Sequence, residues 1–449
     1  MFKRSKLNTR IYAPRNRWRD YQVKLRKQSA KHKALQRLPR YLLVLAVLLV
    51  LTQGTFWLLG WRISQPETSA NRLSNLPPRP LDQSVLCRLL AEQPLSKVTG
   101  KKFDLETVLR DYHMETSIVP SLQKAIEDNI DRKYAKYFGL VAMDPPTGKV
   151  LAMISFDRTG GNANVCTRAD FPAASLFKIV TAGAAIEECG FQSGTPVAYN
   201  GKKHSLYKSQ LKPIDNKYTN HITFANSFAD SINPVFGKIG IHRLKKDGLE
   251  KYAESFGFNR AIAFDLPVSK SPLSIRNEPY NWAEIACGFN KKTLISPLHA
   301  AVLVAGIVNG GKLMGPTLID IAHENNQRVY QARPLVLNRA VSPDTANVLK
   351  RLMHSTITEG TARNTFRYCR RDKVLSRLYI GGKTGSINNN PEKIKYDWFA
   401  GFAEETNGSK KLAIAVFVAH KDYIGKRAAA YAKTAFKQYF KKPSIDSSA

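Results

Sequence analysis

The sequence predicts an α/β protein carried behind a single membrane-spanning helix, and three features of the chain lead to that reading. An uncharged apolar run occupies residues 41–61, bordered by Arg40 and Arg62. Two apolar runs flank the turn signal DPPTG at 144–148, and three stretches that read as strands, at 378–387, 396–405 and 412–420, precede a last helical pattern. Between them, to about residue 360, the pattern is mostly helical. Strands at both ends with helices between imply one sheet closed by non-local pairing. The 449 residues suffice for one large domain or two ordinary ones, and 43% hydrophobic with 23% charged residues is ordinary for a globular protein.

The first element is a tail. Residues 1–40 hold 14 Lys and Arg against the single acid Asp20, a share of the chain's net +34 that leaves +21 on the remainder. The run 41–61 follows; as a helix rising about 1.5 Å per residue it spans roughly 30 Å, the thickness of a bilayer core. Tyr41 at one end and Trp57 and Trp61 at the other suit the two interfaces, and the basic tail places the N-terminus in the cytoplasm and everything after Arg62 outside. The tail is therefore read as a topology signal and not as a nucleic-acid surface. A cleaved signal peptide would want a shorter apolar core and a small-residue site close behind it; Thr68-Ser69-Ala70 lies too far from Trp61, so an uncleaved anchor in the cytoplasmic membrane is expected.

Residues 62–112 read as a linker and short pedestal. NLPPRPLDQ is the least helix-compatible stretch, and SVLCRLLAEQ and DLETVLRDYH read as two short helices. The main domain is expected over 113–443. PSLQKAIEDNIDRKYAK reads as a helix opened by Pro120, YFGLVAMDPPTGKVLAMISF as a hairpin, and FPAASLFKIVTAG as the start of a helix running to Cys189 and closed by Gly190. LISPLHAAVLVAGIVNGG is too short for a second span and contains Pro297 and His299, so it is read as a buried core helix. LYIGGKTGSI, YDWFAGFAEE and LAIAVFVAH are strands, and RAAAYAKTAFKQYFKK is the closing helix. No internal repeat interrupts the pattern.

The chemistry centres on serine and lysine. The tetrad S-x-x-K occurs at Ser121/Lys124, Ser175/Lys178, Ser205/Lys208 and Ser209/Lys212. The first lies on an amphipathic helix with Glu127, Asp128 and Asp131, and the last two in a polar, loop-like segment. Only Ser175/Lys178 sits in a helix that is apolar nearly all round, the mark of burial. Residues i and i+3 share a helix face, so the Ser175 hydroxyl and the Lys178 amine can meet. Burial disfavours the ammonium form and prepares the amine to act as a base. Taken alone, the pair is equally consistent with an N-cap serine and a snorkelling lysine. Two further motifs tip the balance. Lys383-Thr384-Gly385-Ser386 is the one K-T-G in the chain; in a strand, its glycines leave room for close approach by a ligand, and Lys383, Thr384 and Ser386 offer charge and hydroxyls to a carboxylate. Ser231-Ile232-Asn233 supplies an S-x-N, weak by itself because Ser69-Ala70-Asn71 and Ser386-Ile387-Asn388 also match.

In that order, S-x-x-K, S-x-N and K-T-G make the sequence resemble the penicillin-binding proteins, the serine D,D-peptidases that cross-link peptidoglycan. SLQKAIED, MDPPTGKVLAM, ISPLHAAVLVAGIVNGG and DWFAGFAEE extend the resemblance over roughly 113–440. It implies the penicillin-binding transpeptidase fold, a mainly antiparallel sheet flanked by helices plus an all-helical subdomain. The N-terminal anchor and the lack of room for a glycosyltransferase domain look like the monofunctional class B type. The implied roles are Ser175 as nucleophile, Lys178 as its base, Ser231 as proton relay to the leaving amine, and Asn233 as holder of the substrate amide and the lysine. Lys383, Thr384 and Ser386 would bind the terminal carboxylate with Gly385 open beneath it, and the backbone N–H groups of Ser175 and Ser386 would form the oxyanion hole. The resemblance further implies stem peptides as substrate, β-lactams as covalent inhibitors, membrane attachment, and proteins of a cell-wall synthesis complex as partners. Two departures stand out: the pedestal is short for class B, and Asn290 in ACGFNKK replaces the second glycine of a turn the family often has.

Other activities fit less well. A β-lactamase would need a water-activating segment of the E-x-x-L-N kind, which is missing, and S-x-N differs from the S-x-V and Y-x-N of other lactamase classes. A D,D-carboxypeptidase shares every motif and stays open as the alternative, as does a non-enzymatic β-lactam sensor or scaffold. The nine histidines are scattered without H-E-x-x-H, so no metal or other cofactor is expected, and five widely spaced cysteines give no disulfide framework.

Overall fold

Helix signals placed early in the chain hold, but the segment after them does not fold as its spacing suggests. The computed structural model describes residues 22–23, 79–108, 110–161, 164–389 and 391–441, so the expected span 41–61 and nearly all of the basic tail lie outside the described residues. Among the described residues no helix is long and apolar enough to cross a membrane. Helix α1 (Gln83–Leu90) is capped by Asp82, whose carboxylate accepts from the Val85 N–H, and it buries Leu86 and Leu90. DLETVLRDYH, expected to be helical, instead forms the hairpin β1 (Lys102–Glu106) and β2 (Asp111–Thr116). Leu105, Tyr112 and Met114 are buried along it at strand spacing.

Helix α2 (Pro120–Glu127) is shorter than expected. The Asn129 amide donates to the Ala125 carbonyl near its end, and the Tyr431 hydroxyl accepts from the Asp131 N–H at 2.8 Å, which turns the chain toward the next strand. That strand, β3 (Ala135–Met143), and β4 (Val150–Asp157) are the expected hairpin. Helix α3 (Phe177–Cys189) ends at Gly190, whose φ of 68° is the left-handed C-cap. Then come α4 (Phe224–Ala229), α5 (Asn233–Ile239), α6 (Pro279–Cys287) and α7 (Pro297–Val308), the last buried at every position as expected.

Strands β5 (Ile319–Glu324) and β6 (Gln327–Gln331) complete a four-stranded sheet in the order β1-β2-β5-β6. The hairpin is thus made by residues about two hundred positions downstream, which no local window contains. Helix α8 (Pro343–Thr358) leads into β7 (Leu378–Asn389), β8 (Ile394–Glu405), β9 (Lys411–Lys421) and the closing helix α9 (Ala428–Tyr439). The central sheet runs β7-β8-β9-β3-β4, antiparallel throughout, so the two ends of the domain do pair.

This sheet is covered on both faces. Along β9, Ala413, Ala415, Phe417 and Ala419 face one core, while Leu412, Ile414, Val416 and Val418 face the other. Helix α7 packs on the first face and α2 with α9 on the second. A strand buried on both sides has no polar face to alternate, which is why LAIAVFVAH reads as an unbroken apolar run.

Candidate active site

The Ser175 turn is built by a strained residue and a glycine packed against it. Ala174 has φ 48°, a left-handed conformation unusual for alanine, and begins a 3-10 turn over Ala174–Leu176 that runs straight into α3. Gly288, after α6, has φ 70°, and a Cβ there would lie 1.9 Å from the Ala174 carbonyl oxygen. On the other side Gly385 of β7 lies alongside, where a Cβ would be in ordinary van der Waals contact with the Ser175 and Leu176 nitrogens at 3.4 Å. Glycine is required at 288 by contact and by φ, so the single glycine of ACGFNKK is the one the turn uses. Ser175 is partly exposed in otherwise buried surroundings.

Lys178, one turn after Ser175 and the second residue of α3, is fully buried. Its Nζ is 3.0 Å from Ser175 Oγ, 2.7 Å from Asn233 Oδ1 and 2.6 Å from the Cys287 carbonyl. Burial lowers its pKa from 10.5 to about 8. A neutral amine has two N–H bonds and one lone pair. With Asn233 Oδ1 and the Cys287 oxygen taking the two hydrogens, the lone pair is left for the Ser175 O–H.

Ser231 holds φ 57° between α4 and α5, and its Oγ accepts from Lys383 Nζ at 2.9 Å. Lys383 is also fully buried and donates to the Thr384 carbonyl at 2.9 Å. Burial, and then the neighbouring Lys178 charge, hold its pKa well below the ordinary lysine value. Thr384 is half-buried, Gly385 buried and Ser386 exposed along β7. The structure therefore brings Ser175, Lys178 and Asn233 into one hydrogen-bonded group, and Ser231, Lys383 and Thr384 into another that joins it through the 231–233 turn.

The other tetrads stay out of the site. Lys124 is solvated beside Asp128 at 3.4 Å, and Lys208 and Lys212 are exposed. The five cysteines are free, and burial pushes the Cys287 thiol up to about 11, leaving its carbonyl as the polar contribution to the site. Sequence reasoning missed that carbonyl, for which no residue-type signal exists, and Thr361, whose Oγ1 lies 2.6 Å from Thr384 Oγ1. Thr361 is tied to α4 by its N–H on the Ala229 carbonyl, so it fixes the rotamer of Thr384.

With this geometry in place, comparison with known proteins is informative. Residues 138–441 match the family model described as the penicillin binding protein transpeptidase domain. The chain is 27% identical over 299 residues to stage V sporulation protein D of Bacillus subtilis, covering 61% of this chain and 44% of the relative. It is 25% identical over 356 residues to the peptidoglycan D,D-transpeptidase PbpA of Mycobacterium tuberculosis, covering 69% of this chain and 67% of that protein. It spans less than half the length of the first curated relatives it matches. Among solved structures, the D,D-transpeptidase domain of a peptidoglycan glycosyltransferase from Eggerthella lenta superposes with a TM-score of 0.60 at 23% identity, over 73% of this chain and 82% of that one. The penicillin G acyl-enzyme of M. tuberculosis penicillin-binding protein A does so with a TM-score of 0.59 at 22% identity, over 73% and 80%. At these identities the superpositions establish the fold.

Proposed function

Because the chain belongs to the penicillin-binding protein transpeptidase family, we propose that it is a serine D,D-transpeptidase that cross-links peptidoglycan stem peptides through a Ser175 acyl-enzyme. The observation that carries the reading is the Lys178 amine, buried, depressed to about 8, and held by two acceptors so that its free electron pair meets the Ser175 hydroxyl. Ser175 Oγ attacks the carbonyl of the penultimate D-alanine while Lys178 takes its proton. The backbone N–H groups of Ser175 and Ser386 receive the developing oxyanion. The proton taken by Lys178 passes by way of Ser231, in contact with Lys383, to the leaving amine; the C–N bond breaks, D-alanine departs, and Lys178 and Ser231 are back in their starting states. The amine of a second stem peptide then attacks the ester and gives up a proton to Lys178, which returns it to Ser175 Oγ as the ester C–O bond breaks and the new amide is released. Lys383, Thr384 and Ser386, with Gly385 between them, bind the terminal carboxylate of the donor.

The same reading places residues 41–61 in the cytoplasmic membrane, with 1–40 inside and the domain from 113 onward outside, where its substrate is. The apolar run and the basic tail support this. β-Lactams, which present a strained amide and a carboxylate to the same groups, are the expected covalent inhibitors.

The test uses the full-length protein in detergent, treated with a labelled penicillin and analysed by peptide mass spectrometry beside Ser175→Ala. A lasting adduct on the Ser175 peptide that vanishes in the variant is expected; labelling that survives Ser175→Ala refutes the assignment. Donor peptide with and without an acceptor amine then separates cross-linking from hydrolytic trimming.

A further inference from the structure

Thr361 reaches the site from a turn that has little freedom. After α8, the Gly360 N–H donates to the Ser355 carbonyl at 3.0 Å and the Ala362 N–H to the Thr356 carbonyl at 3.1 Å. Gly360 is pressed on the last residue of α4, where a Cβ would collide with the Ala229 carbonyl. That same carbonyl oxygen accepts from the Thr361 N–H at 3.1 Å and lies 3.3 Å from Thr361 Oγ1. Ala229 stands two residues before Ser231, so the turn joins the S-x-N segment to β7. The join is made by side chains: Thr361 Oγ1 is 2.6 Å from Thr384 Oγ1. Thr361 is exposed and Thr384 half-buried, so a ligand can reach the pair.

The hydrogens at this pair can be counted. Each hydroxyl has one hydrogen to give and two lone pairs. At 2.6 Å one of the two donates to the other. When Thr361 gives its hydrogen to the Ala229 carbonyl, Thr384 must give its own to Thr361 and has none for a ligand. When Thr361 donates to Thr384, the Thr384 hydrogen is free to point at an incoming acceptor. Changing from the first arrangement to the second is easy, because the Ala229 carbonyl loses its longer contact and keeps the backbone N–H. An ionised carboxylate accepts and cannot donate, so its arrival selects the second arrangement. Two hydroxyls donating in series also polarise each other, which strengthens the bond to the anion.

We propose that Thr361 is a positioning residue for the donor's terminal carboxylate, its hydroxyl backing Thr384 so that Thr384 faces the anion as a donor. This rests on the reading of residues 383–386 as the carboxylate site. Thr361 acts through Thr384 and touches no reacting atom, so its loss weakens the grip on the anion and leaves the acylation step nearly unchanged. The role is also selective. The hydroxyl at 361 matters for a ligand with a free carboxylate and not for the same ligand esterified, whereas a purely structural tie between α4 and β7 would serve both alike.

The experiment is stopped-flow acylation of the full-length protein in detergent by a fluorescent penicillin with a free carboxylate. Benzylpenicillin and its methyl ester are compared as competitors, and melting temperatures are recorded in parallel. The variants are Thr361→Val, the same shape without a hydroxyl, Thr361→Ser, which keeps it, and Thr361→Ala. Thr361→Val is expected to raise the half-saturating concentration about fivefold, the worth of one hydrogen bond, while the saturating rate stays within about twofold. Benzylpenicillin should weaken by the same factor and the ester stay within about twofold of its native value. Thr361→Ser should behave as native. Should Thr361→Val not fold, the serine and alanine variants decide alone, since they differ by the hydroxyl. A native half-saturating concentration in Thr361→Val, an equal loss with acid and ester, or a serine variant as weak as the valine one each overturns the proposal. A native protein that takes the ester as readily as the acid overturns the carboxylate site, and failure to label at Ser175 overturns the nucleophile assignment; each takes this inference with it.

Discussion

Replacing Lys178 with methionine keeps an unbranched stem of similar length in the same apolar slot and deletes the amine. The size of the effect follows from the amine's surroundings. With its pKa lowered to about 8, roughly a tenth of Lys178 is neutral at pH 7 and roughly a hundredth at pH 6. If neutral Lys178 is the base, native acylation climbs about tenfold from pH 6 to pH 7 and levels off above about 8. Lys178→Met should lose roughly 10²–10⁴ of the rate at pH 7 and the pH dependence with it. The fold should survive. The variant leaves Asn233 Oδ1 and the Cys287 carbonyl without their Lys178 partner, at roughly 1–3 kcal/mol each. Against this, it removes a cation whose burial costs about 3 kcal/mol, from 10.5 down to about 8. The assay is acylation of the full-length protein by a fluorescent penicillin from pH 5.5 to 9.5, with melting curves as the folding control. A folded Lys178→Met that acylates within about tenfold of native at pH 7, or a native profile flat between pH 6 and 8, refutes the assignment of Lys178 as base.

The same lysine makes a statement about stability. Its folded pKa, about 8, lies below the ordinary 10.5, so between those values the unfolded chain holds a proton that the folded chain does not. Stability from this group therefore rises with pH across that window, by roughly 3 kcal/mol. Urea unfolding of native and Lys178→Met at pH 8 and pH 10 should show a stability difference that shifts by about 2 kcal/mol, the part of that rise lying between those two pH values; a pH-independent difference contradicts it. Gly288→Ala places a Cβ 1.9 Å from the Ala174 carbonyl and must displace the Ser175 turn, whereas Gly190→Ala, with a similar φ of 68°, meets nothing within 4 Å. The first should lower the melting temperature and cut acylation about tenfold or more, and the second should cost about 1 kcal/mol and leave acylation unchanged. Equal acylation in the two variants would mean that contact at Ala174 does not position the nucleophile.

Much of the fold was legible because its signals are local. The apolar runs of β9 and α7 follow from burial on every side, and Gly190 from the left-handed cap it must adopt. DLETVLRDYH misled because Leu105, Val108, Leu109 and Tyr112 fall at helical spacing. Val108 is in fact exposed, and the hairpin exists because β2 pairs with 319–324, a choice made by a strand far away in sequence. Helix α2 stopped short for a similar reason, since Tyr431 of the closing helix accepts from the Asp131 N–H.

The site divides along the same line. Which serines and lysines to consider was set by residue type, by spacing, and by the apolar surroundings that single out Lys178 among four tetrads. The sequence by itself determined the Ser175/Lys178 pair, the order of the three motifs and the burial that depresses the amine. Only the tertiary structure decided what the amine bonds to. The Cys287 carbonyl, the His204 carbonyl that orients Asn233, and the Thr361 hydroxyl on Thr384 come from three separate segments. Every residue carries a carbonyl, so composition cannot say which one faces a lysine. That depends on how α6, the 200–212 loop and the turn after α8 close around β7, and closure is a property of the packed chain.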